Sequence, residues 1–174
     1  MKARSFFVFL LILFTSTECY AFDGMSLGMG KARGSIDIYH IGFQKQFGSN
    51  LFKSRAGYLS GYHEISLNYC EHGRESIKQA AYSPVFTYVF AGLTNIMSSY
   101  VEAGIGISYL SDKTISGRDL STHFQFEDRI GVGLKIGQRH THDLNIRYVH
   151  YSNASIKQPN DGIDMVMISY AYSL

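Results

Sequence analysis

The chain has 174 residues, a formal net charge of +2, 14% aromatic residues, 17 glycines, two prolines and no tryptophan. That length suits one domain, and a nearly neutral chain without a basic stripe argues against nucleic acid as a partner. Of its two cysteines, Cys19 lies in the leader described next, so Cys70 has no partner for an internal disulfide.

Lys2 and Arg4, the apolar run Phe6–Phe14 and the small-x-small segment Cys19-Tyr20-Ala21 read as a secretory signal peptide cut after Ala21. Glu18 before Cys19 does not suit a lipid-anchor site. Residues 1–21 are therefore expected to be removed, leaving 22–174 as one domain. Beyond the leader, no apolar run approaches the ~20 residues that a membrane helix needs.

Alternation and turn residues predict eight strands. The first, about 22–31, sets Met25, Leu27 and Met29 against Ser26, Gly28 and Gly30. The second, about 35–47, is apolar on both faces, and a connection Gly48–Ser60 follows. The third, about 61–72, opposes Ile65, Leu67 and Tyr69 to Glu64, Ser66, Asn68 and Cys70. The fourth, about 81–92, gathers aromatics on one face with Val85, Thr87 and Val89 on the other. The fifth, about 98–110, sets Val101, Ala103, Ile105, Ile107 and Tyr109 against Glu102, Gly104, Gly106 and Ser108.

In the sixth, about 121–137, Ile130, Val132, Leu134 and Ile136 oppose Arg129, Gly131, Gly133 and Lys135. The turn Gln138–His142, which we read as solvated and not as a metal site, leads into the seventh, about 143–152. There Leu144, Ile146 and Tyr148 oppose Asn145 and Arg147. The eighth, about 163–174, carries Val166, Ile168, Tyr170 and Tyr172 against Ser169 and Ala171.

A leader, an even strand number and long strands ending in aromatics predict an all-β fold. The expected form is an eight-stranded antiparallel transmembrane β-barrel of the outer membrane, with its apolar faces in lipid. Glu64, Glu102, Arg129, Lys135 and Arg147 then form a polar plug in a lumen filled by side chains. With both ends of the mature chain in the periplasm, the loop Asn153–Gly162 lies outside the cell.

Strand parity adds a site. His150 and Ser152 continue the lipid-facing series of the seventh strand, and Asp164 begins that of the eighth. A turn centred near residue 140 places Ile130 opposite His150 and Asp128 opposite Ser152. A nucleophile, a base and a carboxylate thus gather on the outside of the barrel near the outer leaflet, where polar groups facing lipid signal function.

The run His150-Tyr151-Ser152-Asn153-Ala154-Ser155-Ile156-Lys157-Gln158-Pro159-Asn160-Asp161-Gly162-Ile163-Asp164 resembles the signature of the lipid A 3-O-deacylases, the PagL family of outer-membrane hydrolases. Phe124–Gly133 is also similar to that family. The resemblance implies Ser152 as nucleophile, His150 as base and acid, and Asp164 as orienting acid where the family has glutamate. It further implies Asn160, with Asn153 in support, as oxyanion donor, and Asp128 as the contact for the hydroxyl of a 3-hydroxyacyl chain, with the acyl chain expected against Ile130, Val132, Tyr148 and Ile146. The implied partners are lipid A of lipopolysaccharide and outer-membrane lipid, with no metal or cofactor; monomer and homodimer both remain open. Lys78, Lys113, Arg118 and Lys157 are expected in outer loops, either solvated or meeting lipid A phosphates. His-x-Ser-Asn is shared with outer-membrane phospholipase A. A phospholipase and a non-enzymatic structural or adhesive barrel are therefore the alternatives.

Overall fold

The computed structural model describes residues 22–92, 94 and 96–174. The expected leader, 1–21, lies outside them. Eight antiparallel strands close a barrel: β1 (Gly24–Ala32), β2 (Ile36–Gln46), β3 (Gly57–His72), β4 (Glu75–Phe90), β5 (Met97–Leu110), β8 (Phe124–Ile136), β9 (His142–Ser152) and β10 (Ile163–Ser173). A small hairpin, β6 (Thr114–Ile115) with β7 (Arg118–Asp119), interrupts the connection from β5 to β8. Strands β1 and β10 close the sheet, with Gly24 opposite Ser173. Both ends of the barrel chain therefore share one rim, and the 153–162 loop lies at the other.

The lipid-facing parity is as expected. Leu27, Met29, Leu67, Ile105, Ile130, Val132, Ile146, Val166 and Ile168 are all exposed on the outer wall. Inside, Glu64 accepts hydrogen bonds from Arg129 (2.7 Å), Arg147 (3.2 Å) and Gln44 (2.9 Å). Glu127 accepts from Ser83 and Tyr151, each at 2.6 Å, and pairs with Arg129. Buried charges are tolerable only when paired and hydrogen-bonded, and here the two arginines thread among Glu64, Glu102 and Glu127.

The loop end of the lumen is different. Ile36, Ile38, Cys70, Ile77, Leu110, Val149, Tyr151, Ile163 and Met165 form an apolar core there, capped by Ile115 and Leu120 of the β5–β8 connection. This explains why the second strand reads as apolar on both faces: Ile36 and Ile38 point inward, while Tyr39 is exposed outside.

Three expectations need correction. Strand β3 begins at Gly57, because residues 57–60 pair with 87–90 of β4; the connection after β2 is thus 47–56, not 48–60. Strand β4 begins at Glu75, right after a tight turn in which Gly73 takes φ 62°, so Lys78 lies in a strand and not in a loop. Between β8 and β9, Gly137 adopts φ 97° and its carbonyl accepts from His140 N–H (2.9 Å). The turn therefore starts one residue early, and the register shifts by two. Asp128 faces His150, Ile130 faces Tyr148, and Phe126 faces Ser152. An even shift moves partners but keeps faces, since side chains alternate with period two.

Candidate active site on the outer wall of the barrel

Strand β9 presents Tyr148, His150 and Ser152 in succession on its outer face, while neighbouring Val149 and Tyr151 are buried inside. Asp164, the second residue of β10, stands directly across from His150. His150 Nδ1 and Asp164 Oδ1 are 2.7 Å apart, with both side chains 35% exposed. Charge-assisted bonds of this length are among the stronger ones. The contact fixes which ring nitrogen faces the acid, so Nε2 is the one left for a reacting proton.

Asp128 holds the matching position on β8, across from His150 on its other side. His150 thus has an aspartate across from it on each neighbouring strand, and its imidazole is bonded to Asp164. Ser152 shares the outer face two residues after His150; its Oγ makes no hydrogen bond among the described residues.

The loop that follows is tied down closely. Ala154 and Ser155 adopt φ of 52° and 61°, left-handed values that non-glycine residues seldom take, right beside Ser152. Asn153 is buried, and its Nδ2 donates to the carbonyls of Leu120 (3.0 Å) and Lys157 (2.9 Å). Its side chain therefore serves the loop. Its backbone N–H donates to Asn160 Oδ1 (3.0 Å), which ties Asn160 to the residue that follows Ser152.

The hairpin beyond β5 clasps the same loop. Arg118 donates to the carbonyls of Asp161 and Gly162, both at 3.1 Å, and Asp119 N–H donates to Asp161 Oδ2 at 2.7 Å. Arg118, expected as a loop cation, is thereby engaged in holding the segment just before Asp164; Lys113 and Lys157 do lie in connections.

Two further residues touch the His150–Asp164 pair: Gly162, which was not anticipated, and Tyr148, which was expected only to lie against the acyl chain. Gly162, at φ 61°, lets the backbone pass so close to the imidazole that an added Cβ would lie 3.0 Å from His150 Cε1. Tyr148 donates its hydroxyl to Asp164 Oδ1 at 2.5 Å. A glycine two residues before the acid, and a tyrosine two before the histidine, were the available signals.

A groove of about 500 Å³ lies on the outer wall between the level of Ile130 and the rim of the chain ends, lined by Phe86, Val101, Ala103, Ile130, Val132 and Ile146. Ala103 opens it, since Phe86 and Ile130 flank that small side chain on the adjoining strands.

Comparison with known proteins places this arrangement. A family model described as lipid A 3-O-deacylase (PagL) matches residues 37–173. A lipid A deacylase PagL from Pseudomonas aeruginosa is 34% identical over 148 residues, 84% of this chain and 83% of that protein. Another from Bordetella bronchiseptica is 40% identical over 73 residues, 42% of this chain and 40% of its own length. The crystal structure of the outer membrane enzyme PagL matches with a TM-score of 0.80 at 33% identity, covering 87% of this chain and 99% of that one. A shared closed barrel, and a family match that spans β8, β9 and β10, together show that this chain belongs to the lipid A 3-O-deacylase (PagL) family and is an integral β-barrel enzyme of the outer membrane.

Proposed function

We propose that this chain hydrolyses the ester that links a 3-hydroxyacyl chain to the 3-position of lipid A, working from the outer leaflet by a serine–histidine–acid mechanism. The observation that carries this reading is the His150–Asp164 pair on the lipid-facing wall, with Ser152 on the same face. Family membership supplies the substrate. A signal peptide over 1–21 and a barrel over 22–174 with periplasmic termini belong to the same proposal and put the 153–162 loop outside the cell.

In this mechanism lipid A arrives by lateral diffusion, and its acyl chain lies along Ile130, Val132, Tyr148 and Ile146. His150 Nε2 takes the Ser152 proton as Oγ attacks the ester carbonyl. Asp164 holds the ring and stabilises the imidazolium. The Ser152–His150 hydrogen bond forms on substrate binding, as such bonds often tighten only in the complex. Asn160 Nδ2, or a backbone N–H of the 154–155 turn, donates to the tetrahedral oxyanion; one such donor is typically worth about 3 kcal/mol. His150 then protonates the departing glucosamine oxygen, and water activated by the same ring releases the 3-hydroxy fatty acid from the acyl-serine. Asp128 accepts from the 3-hydroxyl of the chain, a role supported by its place across from His150.

The test is expression of wild type and Ser152→Ala in a Gram-negative host, followed by mass spectrometry of lipid A. Wild type alone should remove one 3-hydroxyacyl group. Lysophospholipid without any change in lipid A would point to a phospholipase, and no change in either to a structural barrel.

A further inference from the structure

Tyr148 occupies a place where packing alone asks for nothing polar. It follows Leu144 and Ile146 on the outer face of β9, faces Ile130 on β8 and Val166 on β10, and is 43% exposed. Its hydroxyl nevertheless turns to Asp164 and donates to Oδ1 at 2.5 Å, the same oxygen that meets His150 Nδ1 at 2.7 Å. A tyrosine that only anchored the barrel at the membrane interface would direct this hydroxyl to headgroups or water.

We propose that Tyr148 is a positioning residue for the acid of the site: it holds Asp164 in the rotamer that meets His150. The inference rests on the reading of Ser152, His150 and Asp164 given above. Asp164 is only part buried, near the start of its strand. A single bond to the imidazole would leave the carboxylate able to swing toward solvent. The phenol bonds the same oxygen from a residue on His150's own strand, so base and acid are referenced to one rigid element. Ordered positioning of this kind is where much catalytic advantage lies.

The electronic consequence has a definite sign. A hydroxyl donating to the carboxylate draws negative charge from it. Removing that donor makes Asp164 a stronger acceptor toward the imidazole, and the acid limb of the pH–rate profile should move up. The other charged groups around the pair are Asp128 on β8, Arg118 of the clasping hairpin, and Lys31 and Arg33 at the end of β1, where Lys31 is held by Asp37. All of these stay in place in the variant below.

The experiment compares wild type, Tyr148→Phe, Asp164→Ala and the double variant, purified in detergent with lipid A in mixed micelles, with Ser152→Ala as control. Barrel folding is checked by the heat-dependent gel shift. Tyr148→Phe should keep the folded mobility, lower kcat about tenfold or more with KM little changed, and move the acid limb of kcat/KM to higher pH. In the Asp164→Ala background it should have no further effect. An unmoved acid limb, or equal losses in both backgrounds, would overturn the proposal; if Asp164→Ala is too slow to measure, the limb decides alone. An active Ser152→Ala protein would overturn the site reading and this inference with it. An inactive Ser152→Ala beside an unimpaired Tyr148→Phe would overturn the inference only.

Discussion

Gly162→Ala offers a test of how tightly the site is packed, because the backbone there does two things at once. The residue sits at φ 61°, and its missing Cβ would lie 3.0 Å from both His150 Cε1 and the Tyr151 carbonyl oxygen. Left-handed backbone costs a non-glycine residue about 1–2 kcal/mol. Carbon atoms prefer about 3.5–4.0 Å, so the ring must also retreat by roughly 0.5–1 Å. That shift stretches the 2.7 Å contact with Asp164 and carries Nε2 away from Ser152. A displacement near 1 Å costs about 100-fold in rate. Gly162→Asn separates the two effects, since asparagine tolerates the left-handed region yet brings the same Cβ. We expect both variants to lose about 100-fold in lipid A turnover by mass spectrometry. In urea unfolding, Gly162→Ala should show the larger stability loss. Wild-type turnover in either variant would refute the claim that the imidazole is seated against this backbone.

Three more outcomes follow from other parts of the molecule. Arg147→Met leaves Glu64 and Glu102 buried with less compensation and should cost about 3–5 kcal/mol in urea unfolding; adding Glu64→Gln should recover part of that loss. Ala103→Phe fills the outer groove and should slow turnover of long-chain substrate by about tenfold or more, while a short soluble ester should be cleaved at the normal rate. At the terminal rim, the hydrogen bond from Lys45 holds the Asp23 carboxyl below its usual range, against a smaller opposing effect of burial. Because that acid's affinity for protons is lowered by folding, its stabilisation is present at neutral pH and is lost as pH falls through the folded value. Hydrogen exchange at the Gln46 amide, which donates to Asp23 at 2.8 Å, should therefore accelerate in acid, and Asp23→Asn should abolish the pH dependence.

The eight strands were readable because a wall with lipid on one side and a narrow polar lumen on the other imposes strict alternation. Where that contrast fails, so does the reading. In β4, residues 75–80 place Ile77 and Gln79 inside with Lys78 outside, a pattern suited to water outside the barrel, and the alternation expected of a lipid-facing strand is absent. Strand β2 mixes both regimes, with Ile36 and Ile38 inside and Tyr39 and Ile41 outside. At the site, His150, Ser152 and Asp164 were legible through parity, which survives a two-residue error in register. Tyr148 was not, because a tyrosine in a lipid-facing series breaks no rule until its hydroxyl is seen to have a partner. Gly162 was equally silent, since its role lies in what it lacks.

The filled lumen has a kinetic consequence. With arginine and glutamate side chains packed at its middle and an apolar core at the loop end, the described residues of the barrel leave no internal route for solute. On the proposed reading the chemistry takes place on the outer wall, and the bilayer then completes the reaction chamber. Encounter then takes place in two dimensions, and turnover should follow the mole fraction of substrate in the surrounding membrane. Dilution with inert amphiphile at constant bulk concentration should inhibit the enzyme as effectively as removing substrate.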